Sequence, residues 1–208
     1  MSSEDNRPST TASWRPHTDW RRFAVAAVAA LALASGTVWT TTAAAIPVSF
    51  AVAGGTFQVS ADHVAGTGAA QYAASVTDAA GKSHPVAVAA IGRARLTRLC
   101  QSSVAHTPFG DVTLTIRSGA EHPVEAEDLV IDLDRLDGDL TFGRVQLGRD
   151  ASTLTAVDGA VGTAGAYGQQ ARTLVIDRMR LRAWSITAGT FSLRGAAMAI
   201  SAGERPCF

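Results

Sequence analysis

The sequence predicts an all-β domain, and three observations carry that expectation. Apolar and polar residues alternate with period two in several runs, glycine pairs and Asp-Gly steps punctuate those runs, and no segment after residue 46 keeps a helical period. Alternation of this kind puts successive side chains on opposite faces of a half-buried strand, and the glycine steps supply turns. Phe57, Val59 and Ala61 alternate with Thr56, Gln58 and Ser60, and Val86, Val88 and Ala90 repeat the pattern. Val112, Leu114 and Ile116 are spaced by threonines, and Leu129, Ile131 and Leu133 by Val130 and Asp132. Leu140 and Phe142 fall out of phase with Val145 and Leu147, which places a bulge at Gly143. Leu174–Ala183, Trp184–Leu193 and Met198–Ser201 are the last expected strands. Turns are expected at Gly54-Gly55, Ala80-Gly81, Asp137-Gly138 and Asp158-Gly159, and a flexible loop over Gly159–Gly168. Short echoes, such as Leu129–Asp132 against Leu174–Asp177, suit an elongated architecture. The expected fold is a single extracytoplasmic β-sandwich or elongated open β-sheet behind an N-terminal hydrophobic helix.

The helix is the run Phe23–Trp39, which holds no charged residue and directly follows Arg21 and Arg22. A bilayer core takes roughly 20 apolar residues to cross, and the uncharged stretch continues to Ile46. The arginines on its N-terminal side keep that end cytoplasmic by the positive-inside rule. A cleaved signal peptide with Ala43-Ala44-Ala45 as its small-residue site is the other reading. Both put the rest of the chain outside. The divisions are a disordered cytoplasmic tail over 1–20, a signal-anchor or signal peptide over 21–45, and a β-domain over 46–208. The expected location is the cell membrane, single-pass with the β-domain outside, or the exterior after cleavage near Ala45.

The chain carries 18 Lys+Arg and 18 Asp+Glu; four and three of these precede residue 46, which leaves a nearly neutral domain. Non-specific nucleic-acid binding needs a basic excess, so no nucleic-acid partner is expected. Cys100 and Cys207 are the only cysteines. In an oxidising exterior such a pair is most simply a disulfide. There is no CxxC, and no histidine stands at zinc-ligand spacing.

Few residue patterns in the chain point to chemistry. No Gly-x-Ser-x-Gly elbow occurs. Ser102, Ser103, His106 and Asp111 are close in sequence, but a catalytic triad is an arrangement in space. Gly81-Lys82-Ser83 lacks the earlier glycine of a phosphate-binding loop and leads into a strand, so it is a turn. Asp132, Asp134, Asp137 and Asp139 form an acidic knot whose spacing fails a calcium-binding loop; a strand end and hairpin turn are expected there. Arg178, Arg180 and Arg182 lie on one face of a strand as a candidate anionic-surface stripe, with cross-strand pairing to the acidic strand as the plainer reading. No catalytic, cofactor-binding or metal residue, and no cofactor, is expected.

Several motifs in one order resemble an actinobacterial family, domain of unknown function 6230. They are Ser49–Val52, Ala69–Tyr72, Gly81–Val88, Leu99–Ser102, Pro123–Ala126, Ala188–Phe191 and the terminal Cys207-Phe208. The resemblance implies a membrane-associated or exported β-rich protein. Some members carry a label of cholesterol esterase, which the missing nucleophile elbow does not support here. The expected function is a non-enzymatic envelope protein, held at the membrane by its N-terminal helix, whose β-domain binds an apolar ligand such as a lipid or an envelope protein. A structural or assembly role at the cell surface is the alternative, and a lipid-ester hydrolase a third reading.

Overall fold

The computed structural model describes residues 54–208. The expected tail, the hydrophobic segment and the chain up to residue 53 lie outside the described residues. The described part is all-β, and its nine strands form one antiparallel sheet. They are β1 (Phe57–Thr77), β2 (Ser83–Thr97), β3 (Leu99–Thr107), β4 (Gly110–Ser118), β5 (Val124–Gly143), β6 (Gln146–Asp150), β7 (Tyr167–Thr187), β8 (Thr190–Ser192) and β9 (Ala197–Ala202). One turn of 3-10 helix, Ala151–Thr153, interrupts them.

The pairings close. β1 pairs β2, β2 pairs β5, β5 pairs β7, and β7 returns to β1. Neither a two-sheet sandwich nor an open sheet describes this ring of long strands, and the expected architecture is corrected accordingly. An open sheet would leave the long edges of β1 and β7 with unpaired N–H and C=O groups; pairing the two removes both edges. The ring encloses the core. Val64 of β1, Ile91 and Leu96 of β2, Val124 and Ile131 of β5, and Leu174, Ile176 and Leu181 of β7 all point inward. The space left among them is a cavity of about 40 Å³.

Inward positions do not keep period two along the whole of a strand. On β7 they run Ala171, then Leu174 and Ile176, then Met179, Leu181 and Ala183. On β2 and into β3 they run Ala89 and Ile91, then Ala94 and Leu96, then Leu99. Each three-residue step falls on one of two belts that cross the sheet. Arg98 (φ 50°), Arg178 (φ 54°) and Gly138 (φ 153°) mark one belt; Asp128 (φ 50°), Gly68 (φ 67°) and Arg144 (φ 55°) mark the other. A residue in the left-handed region adds a local kink and re-aims the side chains that follow. Two such belts wind four strands tightly enough to close around a narrow interior.

The same belts explain where the expected punctuation and the structure part. Asp137-Gly138 is not a turn; β5 runs through it with a register shift between Asp137 and Asp139. The break expected at Gly143 falls at Arg144, and pairing to β7 resumes in register, Gly143 facing Thr173 and Gln146 facing Gln170. Gly81, at φ 82°, does lie in the β1–β2 turn. The loop expected to be flexible is pinned at both ends. Leu154, Val157 and Ala160 pack outside the ring on Ala70 and Ala90, and Gly162 sits so close to Tyr72 that a Cβ there would lie 2.7 Å from its ring. Asp150 closes the loop, its carboxylate accepting from the Ser152 N–H at 2.9 Å and the Gly165 N–H at 2.8 Å.

Candidate functional site

Beyond the ring the sheet unrolls. β3 continues β2 past Arg98, leaves β1, pairs β4, and β4 pairs β9. The register places Gln101, Ser103 and Ala105 of β3 beside Ile116, Leu114 and Val112 of β4, and these beside Met198, Ile200 and Ala202 of β9. This face continues the inner, apolar wall of the ring, because Gln101 also faces the buried Val59 of β1. Cys100, Ser102, His106, Asp111, Thr113 and Thr115 alternate onto the opposite face.

The two faces are covered in the reverse of the usual sense. On the polar face Ser102 is 2% exposed and Thr113 0% exposed, under the C-terminal segment 203–208. Thr113 Oγ1 donates to the Gly203 carbonyl at 2.7 Å and accepts from the Arg205 N–H at 2.9 Å, while Ser102 Oγ accepts from the Cys207 N–H at 2.9 Å. Each buried hydroxyl is thereby satisfied, as burial requires. The Cys100–Cys207 disulfide fastens the segment there. On the apolar face Met198 is 69% and Ile200 75% exposed, and Phe109 at the tip of the β3–β4 hairpin is fully exposed. Among the described residues β9 has a strand partner on one side only. Its sequence, AMAISA, contains none of the charges or prolines that usually blunt an edge strand.

The candidate groups expected from sequence are distributed as follows. Arg182 Nε meets Asp134 at 2.7 Å, Arg178 pairs with Asp139, and the Arg180 guanidinium lies 5.7 Å from the centre of the Phe208 ring. Two arginines of the stripe are therefore matched to the acidic knot of β5, as cross-strand pairing requires, and Arg135 chelates Asp137 at 2.7 and 3.0 Å. That contact holds the Asp137 carboxyl below its usual range, chiefly through the hydrogen bond from Arg135.

Ser102, Ser103, His106 and Asp111 do not assemble. Ser102 is bound to the C-terminal segment and lies four residues, about 13 Å, along the strand from His106, and Ser103 is on the other face. His106 Nδ1 does meet Asp111 Oδ1 at 2.6 Å, and Glu204 converges on the same point. The Asp111 hydrogen bond first, then the charges of Asp111 and Glu204, push the His106 imidazole up. Glu204 is the member that the sequence does not reveal, because only the disulfide and tail contacts bring it beside residue 106.

A family model described as a family of unknown function (DUF6230) matches residues 53–208. No curated protein and no solved structure matches the chain.

Proposed function

The chain belongs to the DUF6230 family of unknown function, and from that premise we propose that it is a non-enzymatic docking module of the cell envelope. Its N-terminal segment holds it at the membrane or exports it, and its β3–β4–β9 flap receives an extended apolar segment of an envelope protein as an added strand. The exposure of Met198 and Ile200 on an edge strand, while hydroxyls on the reverse face are buried, carries the reading. Strand addition uses the free backbone groups of an edge for affinity and alternate side chains for specificity. The ring itself is a poor container: ligand pockets run about 300–1,000 Å³, against the 40 Å³ enclosed here. Any apolar ligand therefore has the flap, and not the core, as its seat.

The test is site-specific photo-cross-linking in cells, with the reactive residue at position 198 and, as a control, at exposed Arg172 on β7. A discrete adduct at 198 that Ile200→Lys abolishes is the expected result. Ile200 is 75% exposed, so the denaturation free energy of Ile200→Lys should stay within about 0.5 kcal/mol of the parent. Adducts at 198 no stronger than at 172 would discard strand docking. An adduct of twice the chain mass would transfer the face to self-assembly.

A further inference from the structure

We infer that His106, Asp111 and Glu204 form a binding site for a divalent transition-metal ion of the Zn2+ type, placed where the C-terminal segment crosses the β3–β4 hairpin. One ligand atom from each residue lies within 4.8 Å of the others. Ligands at about 2.0–2.2 Å from a tetrahedral zinc ion stand about 3.3–3.6 Å apart, so the exposed side chains would have to rotate, drawing the set in and opening the His106–Asp111 hydrogen bond. One imidazole nitrogen and two carboxylate oxygens suit zinc, cobalt, nickel or copper; calcium takes six to eight oxygens.

Two further observations point the same way. The backbone on both sides of Glu204 is held: the Gly203 N–H donates to the Asp111 carbonyl at 2.7 Å, and the Arg205 N–H to Thr113 Oγ1 at 2.9 Å. The carboxylate is thus delivered to the hairpin by backbone contacts that do not use the ligand side chains. Charge is also unbalanced. Asp62, Glu125, Asp134, Asp137 and Asp139 each pair with an arginine. Among the described residues neither Asp111 nor Glu204 forms an ion pair with an arginine or lysine; Asp111 pairs with His106. Two carboxylates beside one imidazole make a locally negative site that a proton on His106 or a metal ion would balance. Bound metal would clamp the tail to the hairpin that carries Phe109, stiffening the flap.

The experiment is calorimetric titration of Zn2+ into the full 208-residue chain, prepared without a histidine tag, alongside His106→Ala, Glu204→Gln and His63→Ala. His63 meets Asp177 at 2.6 Å with no third ligand group among the described residues and serves as the control. Zn2+ binding that weakens about tenfold or more in both His106→Ala and Glu204→Gln, and is unchanged in His63→Ala, supports the site. Visible absorption of added Co2+ should follow the same order and reports coordination directly. No Zn2+ binding, or affinity indifferent to either ligand substitution, overturns the site and leaves a protonated His106 as the only cation of the cluster.

Discussion

At the scale of single residues, Asp78 ties the β1–β2 turn. One carboxylate oxygen accepts from the Ala80 and Lys82 N–H groups at 2.9 Å each, and the other meets His84 Nε2 at 2.9 Å. His84 in turn stacks on Trp184, ring centres 4.0 Å apart. The His84 hydrogen bond, followed by the Lys82 N–H, holds the Asp78 carboxyl below its ordinary value. A carboxyl depressed in the folded state stabilises it fully above the unfolded value near 3.9, and the contribution is lost as pH falls through the folded value. Asp78→Asn keeps an acceptor for the turn and loses the charge. Urea midpoints of the parent should therefore exceed those of Asp78→Asn at pH 7, and the gap should narrow below about pH 4. A gap that is constant with pH would remove the carboxylate's charge from the account. Arg144 tests the belts. A left-handed conformation costs a non-glycine residue roughly 1–2 kcal/mol, and Arg144 adopts one at φ 55° with no ion-pair partner among the described residues. Arg144→Gly should raise the denaturation free energy by about 1 kcal/mol, and β-branched Arg144→Val should lower it. Equal midpoints for the two variants would show that the kink carries no strain.

At the scale of elements, the strands were legible wherever alternation survives between belts. Val112 to Ile116 and Leu129 to Leu133 are read correctly for that reason, because neither run crosses a kink. Some strand ends are misread. Leu174–Ala183 is read as one strand across the Ile176–Met179 step, but a new strand is expected at Trp184, where β7 in fact continues to Thr187. Arg98, Asp128, Arg144 and Arg178 do not announce a positive φ as a glycine would, so the kinks were invisible, and Asp137-Gly138 looked like a turn when it is an irregularity inside β5. The pairing of Cys100 with Cys207 was legible, since no other thiol competes. The flap was only half legible. Val112, Leu114 and Ile116 show an apolar face, but its exposure depends on which side the last six residues cover, and nothing local to β4 specifies that.

At the scale of the whole molecule, the ring and the disulfide act on the same quantity, the freedom of the unfolded chain. Closure requires β7 to find β1 across more than a hundred residues, His63 facing Asp177, and such distant pairings give no return until the intervening loop has closed. The Cys100–Cys207 bond spans 107 residues and brings β5 and β7 inside one covalent loop, while β1 and β2 stay outside it. It therefore restricts the denatured ensemble for half of the ring's strands. Chain-entropy reasoning assigns about 4.7 kcal/mol to a loop of roughly 100 residues. Replacing both cysteines by serine should lower the denaturation free energy by about 4–5 kcal/mol while leaving the strand content by circular dichroism unchanged. Without the tie to Cys100 the closing segment opens locally, so its amides to Thr113 and Ser102 should exchange faster, and the core amides of β7, which exchange only by global unfolding, should lose protection in proportion to the lost free energy. A loss below about 1 kcal/mol would mean that the unfolded chain keeps residue 207 near residue 100 without the bond. Residual structure at the flap, and not the covalent link, would then restrain the tail.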